Sequence, residues 1–382
     1  MKLLYISIIH QVTMGLAESV PCSIKAQTFF DECGWLNIND FWMENWNIKN
    51  CICVHGKKYL HSSFEEILNL FFKPDLIIFE GFNDFYKCSF YSDIIFNKIP
   101  YIIVPRYPII FNNLKFANYG ILGRNSKALS CMKEFVNNAL AIQHLNKENI
   151  IDSDDYNTQN IILPNGTNYH SYVQKEWYPG KEIVISYLGR PSLEVKGLDL
   201  LCLACKSIKE KLIKNKVVIN IHTTSTGKDA KTIRPLSRLI DQNELDNIIK
   251  IHPIVIGNKK NQILKKSDMV ILPSRLEGMP MIILEAISNS CPCLVTEPTN
   301  MSQIITKAGA GYSSQANIES IAKTLSHIID EFPVFHEIMR KNAYSLAQQY
   351  LWTELAKEAH TTYQTLLNGL SRKLQECLKV IK

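Results

Sequence analysis

No stretch of the 382 residues approaches the roughly eighteen consecutive apolar residues that a membrane-spanning helix needs. A protein that is soluble, or peripheral to a membrane, is therefore expected. The chain also lacks internal repeats and low-complexity tracts, so neither a solenoid nor a compositionally disordered tail is indicated. Its basic residues form no dense helix or stripe interleaved with stacking aromatics, and no nucleic acid is expected as a partner. The opening run Met1–Ile9 is too short for a secretory signal, is followed by His10 and Gln11 and lacks a cleavage site. It reads as a first buried strand.

Cysteine is plentiful, with eleven residues, but the number is odd and the spacings form neither a disulfide ladder nor a repeated zinc knuckle. A reducing cytoplasm fits that usage. Cys202 and Cys205 make a CxxC, yet Leu200, Leu201, Leu203, Ala204 and Ile208 surround them with helical apolar periodicity. They read as helix packing, and no metal is expected. With 46% hydrophobic and 20% charged residues the composition is globular, and the length suits two domains of under about 200 residues each. The net charge of +6 is uneven: residues 1–170 carry 14 Lys and Arg against 16 Asp and Glu, and residues 171–382 carry 28 against 20. An anionic ligand or surface is expected to meet the second half.

The first half alternates strands (3–9, 51–55, 75–80, 99–105, 140–145, 161–163) with helices near 20–32 and 62–72. Such alternation implies a parallel sheet covered on both faces. Pro164-Asn165-Gly166 closes this domain with a turn, and a polar stretch containing Pro179-Gly180 reads as the linker. The pattern then restarts. Strands are expected at 183–188, 217–223, 248–251, 269–272 and 292–296, and helices at 198–214, 230–241, 259–265, 281–288 and 318–331, with a helical pair over 334–378. The boundaries are a first domain over 1–168, a linker over 169–181, a second domain over 182–345 and a C-terminal helical segment over 346–382 that returns to the first domain. Ligands of such doubly wound sheets sit beyond the carboxyl ends of the strands, so the strand-to-helix loops are where chemistry belongs.

Two of those loops stand out. Gly189-Arg190 follows one strand, and Lys196-Gly197-Leu198-Asp199 opens the next helix. An Arg fork, a Lys point charge and a helix start suit a phosphate, although solvated loop charges would read the same way. The second loop is Pro273-Ser274-Arg275-Leu276-Glu277-Gly278-Met279-Pro280-Met281, which runs into a helix carrying Glu285. Gly278 permits close backbone approach, and Pro280 suits the first helical turn. Two carboxylates eight positions apart, about two helical turns, suit a polyhydroxylated ligand.

These residues together resemble family 4 of the retaining glycosyltransferases, whose second domain carries G-R, K-G-x-[DE] and E-G with a later E. The positions that match are Gly189, Arg190, Lys196, Gly197, Asp199, Pro273, Ser274, Glu277, Gly278, Leu284, Glu285 and Ala286. The resemblance implies an α/β GT-B fold, with two facing Rossmann-like domains, parallel sheets and an interdomain cleft. It implies a nucleotide-diphosphate sugar of UDP or GDP type as donor, no further cofactor, and a saccharide or lipid-linked saccharide acceptor. Arg190 and Lys196 are expected to neutralise the leaving diphosphate, Glu277 to bind donor sugar hydroxyls and Glu285 the ribose. Gly189, Gly278, Met279, Pro280 and Met281 are expected to line the donor.

The first domain departs from the pattern. A paired-glycine loop is replaced by Met14-Gly15, and a histidine after the 99–105 strand by Pro105-Arg106-Tyr107. Gly15 and Arg106 are the expected donor contacts there. The implied role is a retaining transferase of bacterial surface polysaccharide, in capsule or lipopolysaccharide biosynthesis, either cytoplasmic or peripheral on the inner membrane face. Most of the aromatics between Phe82 and Phe116 read as core packing and the remainder as stacking on a sugar acceptor or touching lipid, while Lys115, Arg124, Lys127 and Lys133 in the same lobe suit shallow attachment to anionic lipid. A sugar-nucleotide epimerase or hydrolase on the same fold, and a non-catalytic sugar-nucleotide-binding partner, are the alternatives.

Overall fold

The computed structural model describes residues 1–382 except 11–14, 82–84, 86–87, 107–108, 110–125, 152, 154–155, 177, 179, 225–229 and 381–382. Gln11, Met14, Phe82, Tyr107, Lys115, Phe116, Arg124 and Pro179 lie outside the described residues, as does the side chain of Lys127. The chain forms two compact units, Met1–Gly166 with Trp352–Lys382, and Thr167–Leu351.

The first unit contains β1 (Lys2–Ser7), α1 (Leu16–Gln27), β2 (Glu32–Asn37), β3 (Cys51–His55), α2 (Phe64–Leu70), β4 (Leu76–Glu80), α3 (Tyr91–Phe96), β5 (Tyr101–Val104), α4 (Ser126–Asn137), β6 (Ala141–His144), α5 (Lys147–Ile151) and β7 (Asn160–Ile162). All seven strands are parallel, in the order β3-β2-β1-β4-β5-β6-β7. Strand β2 is absent from the sequence reading. Its last five residues are all buried, and a strand covered on both faces shows no period-two alternation. Of the aromatics between Phe82 and Phe116, Phe85, Phe90 and Tyr101 lie in the core, as the packing reading expects, while Phe96 is exposed.

The second unit contains β8 (Ile183–Leu188), α6 (Leu193–Lys196), α7 (Leu198–Ser207), α8 (Lys209–Lys214), β9 (Val217–Thr223), α9 (Ala230–Gln242), β10 (Ile249–Pro253), α10 (Gly257–Lys266), β11 (Met269–Leu272), α11 (Met281–Ser288), β12 (Cys293–Thr296), α12 (Ser302–Lys307), β13 (Gly311–Ser314) and α13 (Ile318–Ala347). Helix α14 (Trp352–Val380) belongs to the first unit. The second sheet is also parallel, ordered β10-β9-β8-β11-β12-β13. The helix expected over 198–214 is broken at Ile208, whose backbone leaves the helical region. Helix α13 does not stop near Glu331 but runs on through Pro333. Buried Ile328, Ile329 and Phe332 before the proline, and Met339 and Ala343 after it, hold both halves against the core. Cys202 and Cys205 are fully buried in α7, and burial pushes the Cys202 thiol up to about 12, so neither thiol is poised to ionise. Among the described residues no helix is long and apolar enough to cross a membrane.

Candidate functional site

In the second sheet β8 and β11 are neighbours, but the chain leaves β8 toward β9 and leaves β11 toward β12. This reversal opens a crevice at their carboxyl ends, the usual ligand position in an open α/β sheet. Both sequence motifs begin there, Gly189-Arg190 directly after β8 and Pro273-Ser274-Arg275 directly after β11. The Arg190 side chain is exposed, while its carbonyl accepts a hydrogen bond from the Tyr187 hydroxyl at 2.7 Å.

Gly197 controls how closely the two loops approach. Its φ is +64°, and a Cβ placed on it would sit 1.9 Å from the carbonyl oxygen of Pro273. Only glycine satisfies both demands, so Lys196 ends its short helix directly against the β11 loop. Gly197→Ala is expected to cost about 1–3 kcal/mol from the left-handed backbone, and more from the displaced loop. Thermal unfolding together with nucleotide affinity checks this. Unchanged values for both would show that the close approach is dispensable.

Lys196 Nζ ion-pairs with Glu277 Oε1, and the Ser274 hydroxyl donates to that same oxygen at 2.7 Å. Among the described residues none donates to Oε2, which leaves Glu277 an acceptor for a ligand. Glu277 is 5% exposed, and its backbone is fixed from a third segment. Glu277 N–H donates to Pro298 O at 3.0 Å, and Asn300 Nδ2 donates to Glu277 O at 3.0 Å and to Gly278 O at 3.3 Å. Asn300 is itself left-handed, a conformation Asn tolerates better than most residues.

Arg275, which the sequence reading quoted without a role, holds the two loops together. Its guanidinium grips Asp199 through both oxygens at 2.8 and 2.7 Å and donates to Leu193 O at 3.0 Å and Glu194 O at 2.9 Å. Its amide donates to Val195 O at 2.8 Å. The acidic residue of K-G-x-D is therefore a structural partner that anchors the turn carrying Lys196. Ser274 and Asn300 likewise gain roles that require knowledge of contacts. The unpaired acid in one motif and the basic residue in the other were the available signal for Arg275.

Glu285 lies on α11, where Lys260 of α10 places Nζ 2.5 Å from Oε1. The two glutamates that the sequence groups together are thus held by different lysines, from α6 and from α10. Pro280 is at the N-cap of α11 and not inside its first turn as expected, with φ −72° and ψ 120°. Among the described residues no side chain caps this helix start; Ile283 N–H already donates to Pro280 O at 3.1 Å, so an anion would meet the amides of Met281 and Ile282. Gly278, Met279 and Pro280 are buried, and Met281 is partly so.

In the first unit Gly15 is at the N-cap of α1. Arg106 has φ +68° and a guanidinium engaged with Glu80, Nε to Oε2 at 3.1 Å, and with Asn165 Oδ1 at 2.5 Å. It joins the carboxyl ends of β4 and β5 to the Pro164-Asn165-Gly166 turn. The left-handed backbone of a non-glycine residue is a local cost that this network of partners compensates.

Comparison with known proteins bears on the fold and on the second unit. Residues 171–346, most of the second unit, match the family model described as Glycosyl transferases group 1. Over 102 residues the chain is 33% identical to the UDP-Gal:alpha-D-GlcNAc-diphosphoundecaprenol alpha-1,3-galactosyltransferase of Escherichia coli. That stretch covers 26% of this chain and 26% of the relative. Among solved structures, sucrose-phosphate synthase of Thermosynechococcus elongatus superimposes with a TM-score of 0.72 at 13% identity, covering 96% of this chain and 99% of that one. HepE of Anabaena in complex with UDP gives 0.71 at 13% identity, covering 96% and 100%. The fold is GT-B, two α/β units each built on a parallel sheet.

Proposed function

We propose that this protein is a retaining glycosyltransferase that moves a sugar from a nucleotide-diphosphate donor to a saccharide or lipid-linked saccharide acceptor in bacterial surface polysaccharide synthesis. The observation that carries the reading is the Lys196–Glu277 pair. It lies at the switch point of a parallel sheet, within the stretch that matches the group 1 model. The name of the Escherichia coli relative, a transferase acting on a diphosphoundecaprenol-linked sugar, supports a lipid-linked acceptor, and the UDP complex of HepE supports a UDP-type donor.

In this reading the diphosphate lies between the N-terminus of α11 and the cations of the β8 loop. Glu277 accepts hydrogen bonds from the donor sugar, and Glu285 accepts them from the ribose. As the sugar–phosphate bond breaks, negative charge develops on the diphosphate. Lys196 and Arg190 stabilise that charge, and preorganised cations contribute most where water is excluded. Retention then follows from attack on the same face that the leaving group departs, with the departing phosphate taking the acceptor proton. That route needs leaving-group stabilisation more than a fixed base.

The test is thermal unfolding with a panel of nucleotide sugars, followed by transfer assays with lipid-linked acceptors. A donor at about a hundred times its Kd stabilises the folded state by about 2.7 kcal/mol and raises Tm accordingly. If no nucleotide sugar raises Tm, the donor-site reading fails. If a donor binds and is consumed without an acceptor, the transferase is a hydrolase.

A further inference from the structure

We propose that the first unit carries a saccharide subsite built on the stacked rings of His55 and Trp42, a role that rests on the transferase reading above. The subsite holds a sugar ring of the acceptor adjacent to the one that receives the transferred sugar.

Three of the five tryptophans, Trp35, Trp42 and Trp46, gather with Phe41 at β2 and the segment that follows it. Trp35 and Trp46 are buried, but Trp42 is only half-buried. Its ring lies 4.8 Å from that of Trp35 and 5.5 Å from that of Trp46, and His55, the last residue of β3, stacks on it at 4.7 Å with the planes 10° apart. His55 is exposed, and among the described residues neither of its ring nitrogens has a hydrogen-bond partner. A ring that served only to cover the indole would need no nitrogen. These two are available to a ligand lying on the stack.

The shelf is held in place before any ligand arrives. Trp42 Nε1 donates to Asn47 Oδ1 at 3.3 Å, buried Asn37 donates through Nδ2 to Phe41 O at 3.0 Å, and Asn39 Oδ1 accepts the Phe41 N–H at 2.9 Å. The loop after β3 is stitched to the same segment, with Gly56 N–H donating to Asn37 O at 3.1 Å and Lys57 N–H to Asp40 Oδ1 at 3.0 Å. Rings fixed in this way lose little freedom on binding.

What the shelf offers defines its ligand. A pyranose has a face of C–H groups and a rim of hydroxyls, so an aromatic plane with polar atoms at its edge matches it. A hydrocarbon chain would leave the ring nitrogens unmatched, and Lys57 beside the shelf is paired with Asp40 at 3.8 Å, which suits a neutral polyol better than a phosphate. Asn39 extends the pattern. Because its Oδ1 is taken by a backbone amide, its Nδ2 donates to His10 Nδ1 at 2.8 Å, and the neutral His10 ring keeps its proton on Nε2. His10 is exposed, so an N–H donor follows β1. The strand order β3-β2-β1-β4 lays these groups along one edge, with the chain reversing direction between β1 and β4, then His10, then the shelf. Neighbouring strands lie about 4.8 Å apart, so the shelf is displaced along that edge by about one or two strand spacings from the crevice at the reversal.

The test is titration of the full-length protein with the neutral disaccharides maltose, lactose, cellobiose and chitobiose, followed by tryptophan fluorescence and saturation-transfer NMR, with UDP run in parallel by thermal unfolding. At least one disaccharide is expected to change the emission saturably and to receive saturation on the C–H protons of one ring face. H55A is expected to weaken that disaccharide about threefold to tenfold, the loss of one aromatic contact, and H55F, which keeps the stack, is expected to weaken it less. Should H55A fail to fold, H55Q removes the ring and provides the same comparison. A His55 that merely covers Trp42 would lower Tm on substitution and leave disaccharide affinity unchanged, which overturns the proposal. So does the absence of a response to every disaccharide. In that case a Tm raised by UDP leaves the donor reading standing, and no effect of UDP means that both have failed.

Discussion

Lys196→Ala is expected to lower kcat about 10²–10³-fold, with a much smaller change in donor affinity, in a steady-state assay of the transferase. The asymmetry follows from when the charge appears. On the proposed mechanism the ground-state diphosphate is also held by the helix start and by Arg190, so the loss of one cation weakens binding only modestly. In the transition state the bridging oxygen gains charge beside the one ammonium that Gly197 and the Asp199–Arg275 clamp fix against the β11 loop. Losing Lys196 also removes the cation from Glu277, although Ser274 still donates to Oε1 and the Pro298 and Asn300 contacts still hold the backbone. Tm measured on the same variant separates that structural loss from the kinetic one. A kcat within a few-fold of wild type would remove Lys196 from the chemistry.

The largest expected loss of stability comes from a residue outside the site. Asp268, 1% exposed at the start of β11, accepts the Val184 amide at 2.9 Å and pairs with Lys175 at 2.5 Å, and His336 Nε2 lies 3.2 Å away. Lys175 in turn donates to Lys266 O at 2.5 Å, and buried Arg340 donates to Ser267 O at 3.1 Å and Val173 O at 3.2 Å. This knot ties residues 173–175 and α13 to the sheet. Asp268→Ala leaves the Lys175 ammonium with the Lys266 carbonyl but no counter-charge and is expected to cost about 3–5 kcal/mol in equilibrium unfolding. A cost under about 1 kcal/mol would mean that the knot has relaxed around the change.

A pH dependence follows from the same residue. Burial pushes the Asp268 carboxyl up, but the His336 ring nitrogen 3.2 Å away and the charge of Lys175 outweigh it and hold the group below the ordinary carboxylate range. A depressed folded value means the contribution is present above the unfolded pKa, about 3.9, and is lost as pH falls through the folded value. Asp268→Asn should therefore flatten the acid limb of stability below about pH 4 and leave its slope near neutrality unchanged.

Several features were legible in the sequence because they are local. Apolar runs bounded by glycine, proline and asparagine gave β8, β9 and β11 and the helix after the E-G loop. Chain-adjacent motifs then pointed to the ends of β8 and β11, which the structure brings together. Other features were invisible for equally physical reasons. Strand β2 is buried on both faces and has no alternation, α13 absorbs a proline because its flanks are packed, and the break at Ile208 leaves no mark in the periodicity of its neighbours.

By itself the sequence determined a doubly wound α/β chain with a phosphate-suited strand end and two glutamates in a single loop-helix segment. Tertiary structure alone decided the partners: Lys196 with Glu277 across 81 residues, Arg275 with Asp199 across 76, and Lys260 with Glu285 across 25. Those pairings depend on β8 lying beside β11 and on Gly197 admitting the Pro273 carbonyl. Sheet order is set by crossovers among distant segments. No local pattern encodes which cation a given carboxylate will meet.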